Sequence, residues 1–113
     1  MKPVVLAAVL AGALTGAVAG AADEASVVRG GRLYDNWSRE LQIPTPREPH
    51  PAFTAKVGGI TAAETWRCVR CHGWDYTGNH GIRGIRSRHG GDPAAIVAVL
   101  KDGTHRYGGL LGE

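Results

Sequence analysis

Cys68-Val69-Arg70-Cys71-His72 holds the only two cysteines of the chain, with a histidine directly after the second. This is the C-x-x-C-H pattern of covalent c-type haem attachment. If the segment from Thr61 to His72 is helical, positions 68 and 71 lie on one face. Both thiols then reach the two vinyl groups along one porphyrin edge, and His72 brings its imidazole to the iron. One short segment supplies two thioether bonds and the proximal ligand, so the other residues need only enclose the ring and close its far face.

Other uses of the motif fit the sequence less well. A zinc site expects four ligands with a second pair at matching spacing, and no second cysteine pair exists. A thioredoxin-like redox motif expects a preceding strand and a βαβ context, neither of which the sequence shows. A disulfide across two residues would be strained and would close almost no loop.

The residues around the motif read as helices and turns. Thr61-Ala62-Ala63-Glu64 is a capping box that starts the motif's helix. Trp66, Trp74 and Tyr76 flank the motif; they either pack on the haem and donate to a propionate or belong to an ordinary core. Upstream, Asp23 and Glu24 favour a helix start, and Leu33, Trp37 and Leu41 form an apolar stripe at helical spacing, with Tyr34 beside it. Gly30-Gly31 costs helix stability, so the reading is a helix over 31–41 with a weaker turn before it, unless something approaches the backbone there. Pro44, Pro46, Pro49 and Pro51 force an extended loop, with His50 expected at the surface, and Gly58-Gly59 end it in a turn. Downstream, Gly78, Gly81, Gly84, Gly90 and Gly91 alternate with Arg83, Arg86 and Arg88. The glycines let backbone run close to a flat ligand, and no Gly-Lys-Ser/Thr ending supports a phosphate loop. Asp92-Pro93 caps a helix over 94–100 that Gly103 terminates.

Composition sets the context. Met1-Lys2, the apolar run from Val4 to Leu14 and a small-residue cleavage site at Ala17-Val18-Ala19 or Ala19-Gly20-Ala21 read as an export signal over residues 1–21. An uncleaved anchor is the alternative, disfavoured because the run is rich in alanine and glycine and shorter than the roughly 20 apolar residues of a span. Export suits a haem protein, since bacterial maturation attaches haem after translocation; the expected location is the periplasm. Removing 21 of 113 residues leaves 92, one small domain with 12 basic and 10 acidic residues. Between Arg67 and Arg106 the balance is seven basic to three acidic, a solvated face or a steering surface for an acidic redox partner. Neither nucleic acid nor a stable membrane span is expected. Leu, Ile, Val and Phe number 17 in residues 22–113, a thin core that a buried haem would complete, so the haem-free form is expected to fold poorly.

The far side of the iron needs a second ligand. Met1 is the only methionine and leaves with the signal. The candidates are His50, His80, His89 and His105; His80, eight residues past His72, has a short reach around a porphyrin.

Leu100-Lys101-Asp102-Gly103-Thr104-His105 resembles small class I cytochromes c, in which a helix ends at glycine and a methionine ligand follows. Gly31-Arg32-Leu33-Tyr34 resembles the family's N-terminal helix. The run Thr65-Trp66-Arg67-Cys68-Val69-Arg70-Cys71-His72-Gly73-Trp74-Asp75-Tyr76 is similar to a subgroup of exported bacterial monohaem cytochromes. The likeness covers most of residues 29–110, and only the haem motif is specific. It implies an all-α domain of about three helices with long loops, one haem c held by Cys68, Cys71 and His72, and His105 in place of the methionine, with His89 second. Two departures stand out: an insertion over 43–60, and a chain that stops at Leu110-Leu111-Gly112-Glu113, where the family has a closing helix. The expectation is a truncated domain, or one whose Leu33, Tyr34 and Trp37 face is covered by another protein.

The function expected on this basis is periplasmic electron transfer, with a redox partner protein and the maturation machinery as partners, and no enzymatic activity. A five-coordinate haem that binds a small ligand or does redox catalysis is the alternative, as is a haem module docked on a larger oxidoreductase.

Overall fold

The computed structural model describes residues 23–111. The expected signal segment lies outside them. Three α-helices, α1 (Glu24–Leu41), α2 (Cys68–His72) and α3 (Pro93–Leu100), are joined by long loops with short 3-10 turns at Ala63–Trp66 and Arg86–Arg88. Among the described residues there is no strand, so the domain is all-α as expected. No helix among them is long and apolar enough to cross a membrane.

The first helix starts earlier than its glycines suggest. The Asp23 carboxylate accepts from the Ser26 N–H at 2.7 Å and caps the helix, which then runs through Gly30 and Gly31. Nothing lies near enough to meet a side chain at either glycine. The pair is tolerated on an exposed helix at about 1 kcal/mol each, so no close approach is needed to explain it.

At Asn36 the helix breaks, with φ −155° and ψ 84°. The Asn36 side-chain oxygen accepts from the Arg39 N–H at 3.1 Å and from the Ser38 hydroxyl at 2.9 Å, so it caps the second half as an N-cap residue would. Left-handed Gln42 ends the helix, with its N–H on the Arg39 and Ser38 carbonyls.

The helix expected over 61–72 is interrupted as well. The capping box forms: the Thr61 N–H donates to the Glu64 carboxylate at 2.9 Å and the Glu64 N–H to the Thr61 hydroxyl at 3.3 Å. It opens only a 3-10 turn, because Arg67 is extended (φ −82°, ψ 127°) and α2 begins afresh at Cys68.

The two breaks clamp each other. The Arg67 side chain donates from Nε to the Asp35 carbonyl at 2.7 Å and pairs with the Asp35 carboxylate. In return the Trp37 indole N–H donates to the Trp66 carbonyl at 2.7 Å, and the Tyr107 hydroxyl donates to the same oxygen at 2.7 Å. Each break frees a backbone carbonyl that would be costly to bury unpaired, and each carbonyl is taken up by a side chain from beyond the other break or from the C-terminal loop.

Trp37, Trp66 and Tyr107 form the buried core, with Leu33, Leu41, Ile43, Cys68, Leu100 and Leu110 packed against it. The Tyr107 ring meets both indoles edge-on, at 5.7 and 5.8 Å. The α1 face expected to lack a partner is therefore covered from within the chain: Trp37 by Trp66 and Tyr107, and Tyr34 by Trp74 and Tyr76.

Candidate functional site

Cys68 and Cys71 sit one turn apart on α2 as free, half-buried thiols. Burial pushes the Cys68 thiol up to about 11, and burial raises Cys71 as well. A disulfide-exchange motif requires the opposite, a thiol lowered towards neutrality. Two thiols one turn apart on a helix face fit attachment to a pair of vinyl groups, and their burial runs against the lowered thiol that thioredoxin-like chemistry uses. Among the described residues, no three His, Cys, Asp or Glu side chains converge as a zinc site would need.

His72 closes α2, and its ring is oriented by the loop that follows. Gly73 leaves the helix at φ +76°, and the chain folds back so that the Gly78 N–H bonds the His72 carbonyl and the Asn79 N–H the Cys71 carbonyl, both at 2.9 Å. The Gly78 and Gly84 backbones then pack directly together: a Cβ at Gly78 would lie 2.2 Å from the Ile82 carbonyl oxygen, and one at Gly84 2.5 Å from the Thr77 carbonyl. This contact brings the Arg83 carbonyl to His72 Nδ1 at 2.8 Å. A carbonyl only accepts, so Nδ1 carries the proton and, in the neutral ring, Nε2 keeps its lone pair for a metal. These two glycines are required for backbone-to-backbone packing.

His105 follows α3 on a turn organised by Asp102. One carboxylate oxygen of Asp102 accepts from the Thr104 N–H at 2.9 Å, the His105 N–H at 2.7 Å and His105 Nδ1 at 3.0 Å. The bond from the His105 main-chain N–H is the main reason the Asp102 carboxyl is held below its ordinary range. Gly103 does not adopt a positive φ. The helix therefore ends at the Lys101 cap through this aspartate turn and not through a left-handed glycine. The His105 ring again keeps Nε2 uncommitted.

The His72 and His105 rings lie 6.5 Å apart, centre to centre, with their planes 25° apart. In their chemistry the residues present fit a haem: two thiols on one helix face, and two neighbouring imidazoles whose Nδ1 atoms are engaged and whose Nε2 atoms are free.

The remaining sequence candidates fall elsewhere. His89 is exposed beyond the 3-10 turn at 86–88. His80 packs on Phe53 at 5.4 Å. His50, expected at the surface, is buried at 5% exposure. It lies between two prolines with its ring turned inward against Trp66. Its Nδ1 accepts from the Ala52 N–H at 3.1 Å and its Nε2–H donates to the His105 carbonyl at 2.9 Å. Burial lowers its pKa, and with both nitrogens engaged it is a structural histidine that steadies the main chain of His105.

Of the aromatic residues, Trp66 donates to the Glu48 carbonyl at 2.7 Å and belongs to the core. Trp74 and Tyr76 are exposed and gather on Tyr34, whose hydroxyl donates to the Gly73 carbonyl. Sequence reasoning did not single out Asp102 or the Arg83 carbonyl, and it considered His50 only as a surface residue or a ligand. An aspartate two and three residues before the N–H groups it caps is the one local signal that could have found the first. Family models, curated proteins and solved structures yield no match to this chain.

Proposed function

We propose that the chain carries single electrons in the periplasm through one haem c, attached at Cys68 and Cys71, with His72 and His105 as axial ligands. The observation that carries this reading is the pair of imidazoles 6.5 Å apart with both Nδ1 atoms tied back. Bound there, the haem would supply a reversible ferric/ferrous couple, lower in potential than with a methionine ligand, which raises it. The chain's own residues do the rest. Arg83 and Asp102 fix the two ring tautomers, His50 holds the His105 carbonyl, and the buried aromatics fix α2 against α1. No nucleophile or general acid–base group enters the scheme. The partners would be one-electron redox proteins, which the basic stretch from Arg83 to Arg88 suits if they are acidic.

The test is an optical spectrum, oxidised and reduced, of protein exported in a host with cytochrome c maturation, beside its His105→Ala variant. A low-spin spectrum that resists carbon monoxide, and a His105→Ala variant that binds it, support the pairing. An unchanged low-spin spectrum in His105→Ala rejects His105 as the ligand. A parent protein that is high-spin and binds carbon monoxide favours ligand binding or redox catalysis instead.

A further inference from the structure

The two candidate axial histidines are not held alike. His72 donates its Nδ1 proton to a neutral acceptor, the Arg83 carbonyl at 2.8 Å, whereas His105 donates to a carboxylate, Asp102 at 3.0 Å. A hydrogen bond to an ionised acceptor is roughly twice as strong as one between neutral groups, and a carboxylate behind a ligating imidazole raises that ligand's basicity and fixes its orientation. The Asp102 oxygen that meets the ring also binds the His105 and Thr104 N–H groups, and the Asp102 carbonyl accepts from the Arg106 N–H at 2.9 Å. Ring and main chain of His105 are thus fixed to one side chain.

Building on the axial pairing proposed above, we infer that Asp102 is a positioning residue: its carboxylate makes His105 the more basic axial ligand and weights the bound iron towards its ferric state. In the one-electron step an electron arrives from a reduced carrier protein. No bond forms or breaks, and the Nδ1 proton stays on His105. A more basic donor favours the more highly charged metal, so the carboxylate opposes reduction, whereas the carbonyl behind His72 does so less.

The experiment uses haem-loaded protein and three variants. Asp102→Asn keeps an acceptor for the same N–H groups and removes the charge. Asp75→Asn removes the same charge from the turn after His72, where the carboxylate serves only the Thr77 N–H at 3.1 Å and hydroxyl at 2.8 Å. Asp102→Glu keeps the charge.

The expected result is a shift of about tenfold in the ferric-to-ferrous ratio for Asp102→Asn, a rise of about 59 mV for a one-electron couple. Asp75→Asn should shift it less than a third as much, and the largest g value of the ferric resonance should rise in Asp102→Asn alone. Equal potential shifts in Asp102→Asn and Asp75→Asn, or none, overturn the inference. Should Asp102→Asn lose its low-spin state, Asp102→Glu decides: a low-spin protein near the parent potential upholds the role, and a second loss overturns it. If His105→Ala opens the iron to carbon monoxide while Asp102→Asn leaves the potential unmoved, this inference alone fails. If His105→Ala changes nothing, the axial pairing fails with it.

Discussion

Where α1 meets α2, the carbonyls freed by two helix breaks are taken up by Arg67, Trp37 and Tyr107, and the rings involved are nearly sealed from water. In α3 no residue is buried, and Ile96, Val97 and Val99 stand 41%, 49% and 38% exposed. Both regions are apolar, but the first is fixed by directional bonds within the chain. The second is tied down mainly at its ends: by the Asp92 cap, with Ala94 N–H at 3.0 Å, and by Leu100 on the core. Hydrogen bonds specify the side that carries Cys68 and Cys71. The side that leads to His105 is left with apolar surface that the proposed haem would help to cover.

Trp37→Ala should have the largest effect. A buried indole and its hydrogen bond are lost, at about 3–5 kcal/mol by urea denaturation, while the same change at exposed Trp74 should cost under about 1 kcal/mol. Similar costs at the two would break the contrast. Tyr107→Phe should cost about 1 kcal/mol, because the Trp66 carbonyl keeps its Trp37 bond; a loss as large as that of Trp37→Ala would mean the two donors are not independent.

A pH series sharpens the comparison at the start of the motif segment. The Thr61 N–H first, and then the Arg70 side chain, hold the Glu64 carboxyl below its ordinary 4.5. As pH falls through that value the unfolded chain takes up the proton before the folded one does, so this contribution is present above it and lost on the acid side. Melting temperatures between pH 7 and pH 3 should therefore fall less steeply for Glu64→Gln than for the parent. An equal slope would remove Glu64 from the account.

The smallest effect is expected at Val97→Ser, within about 0.5 kcal/mol in haem-free protein. The comparison is refined if haem loading makes this substitution more costly, and broken if the haem-free cost already rivals that of Tyr107→Phe.

Local chemistry made much of this legible. The Leu33, Trp37 and Leu41 stripe lies against the core as its spacing requires, and the Thr61/Glu64 box and the Asp92-Pro93 start form as read. The breaks at Asn36 and Arg67 were not legible, because each is stabilised by a partner about thirty residues away, and a periodicity reading continues a helix through them. His50 was misplaced for a related reason: proline neighbours announce an extended backbone but not which way the ring turns. At the candidate site the cysteines and His72 are adjacent in sequence and could be read together. That His105, and not His89, faces His72 depends on the turn at Asp102 and on the glycine packing at 78 and 84, which are properties of the folded chain.

The burial of the two thiols also imposes an order in time. Burial pushes the Cys68 thiol up to about 11, which leaves little of the reactive thiolate near neutral pH, and Cys68 packs against the aromatic core. Cys71 is outside that cluster. An alkylating reagent added to the folded, haem-free chain should therefore mark Cys71 faster than Cys68, and the rate of the second label reports how readily α2 opens from α1.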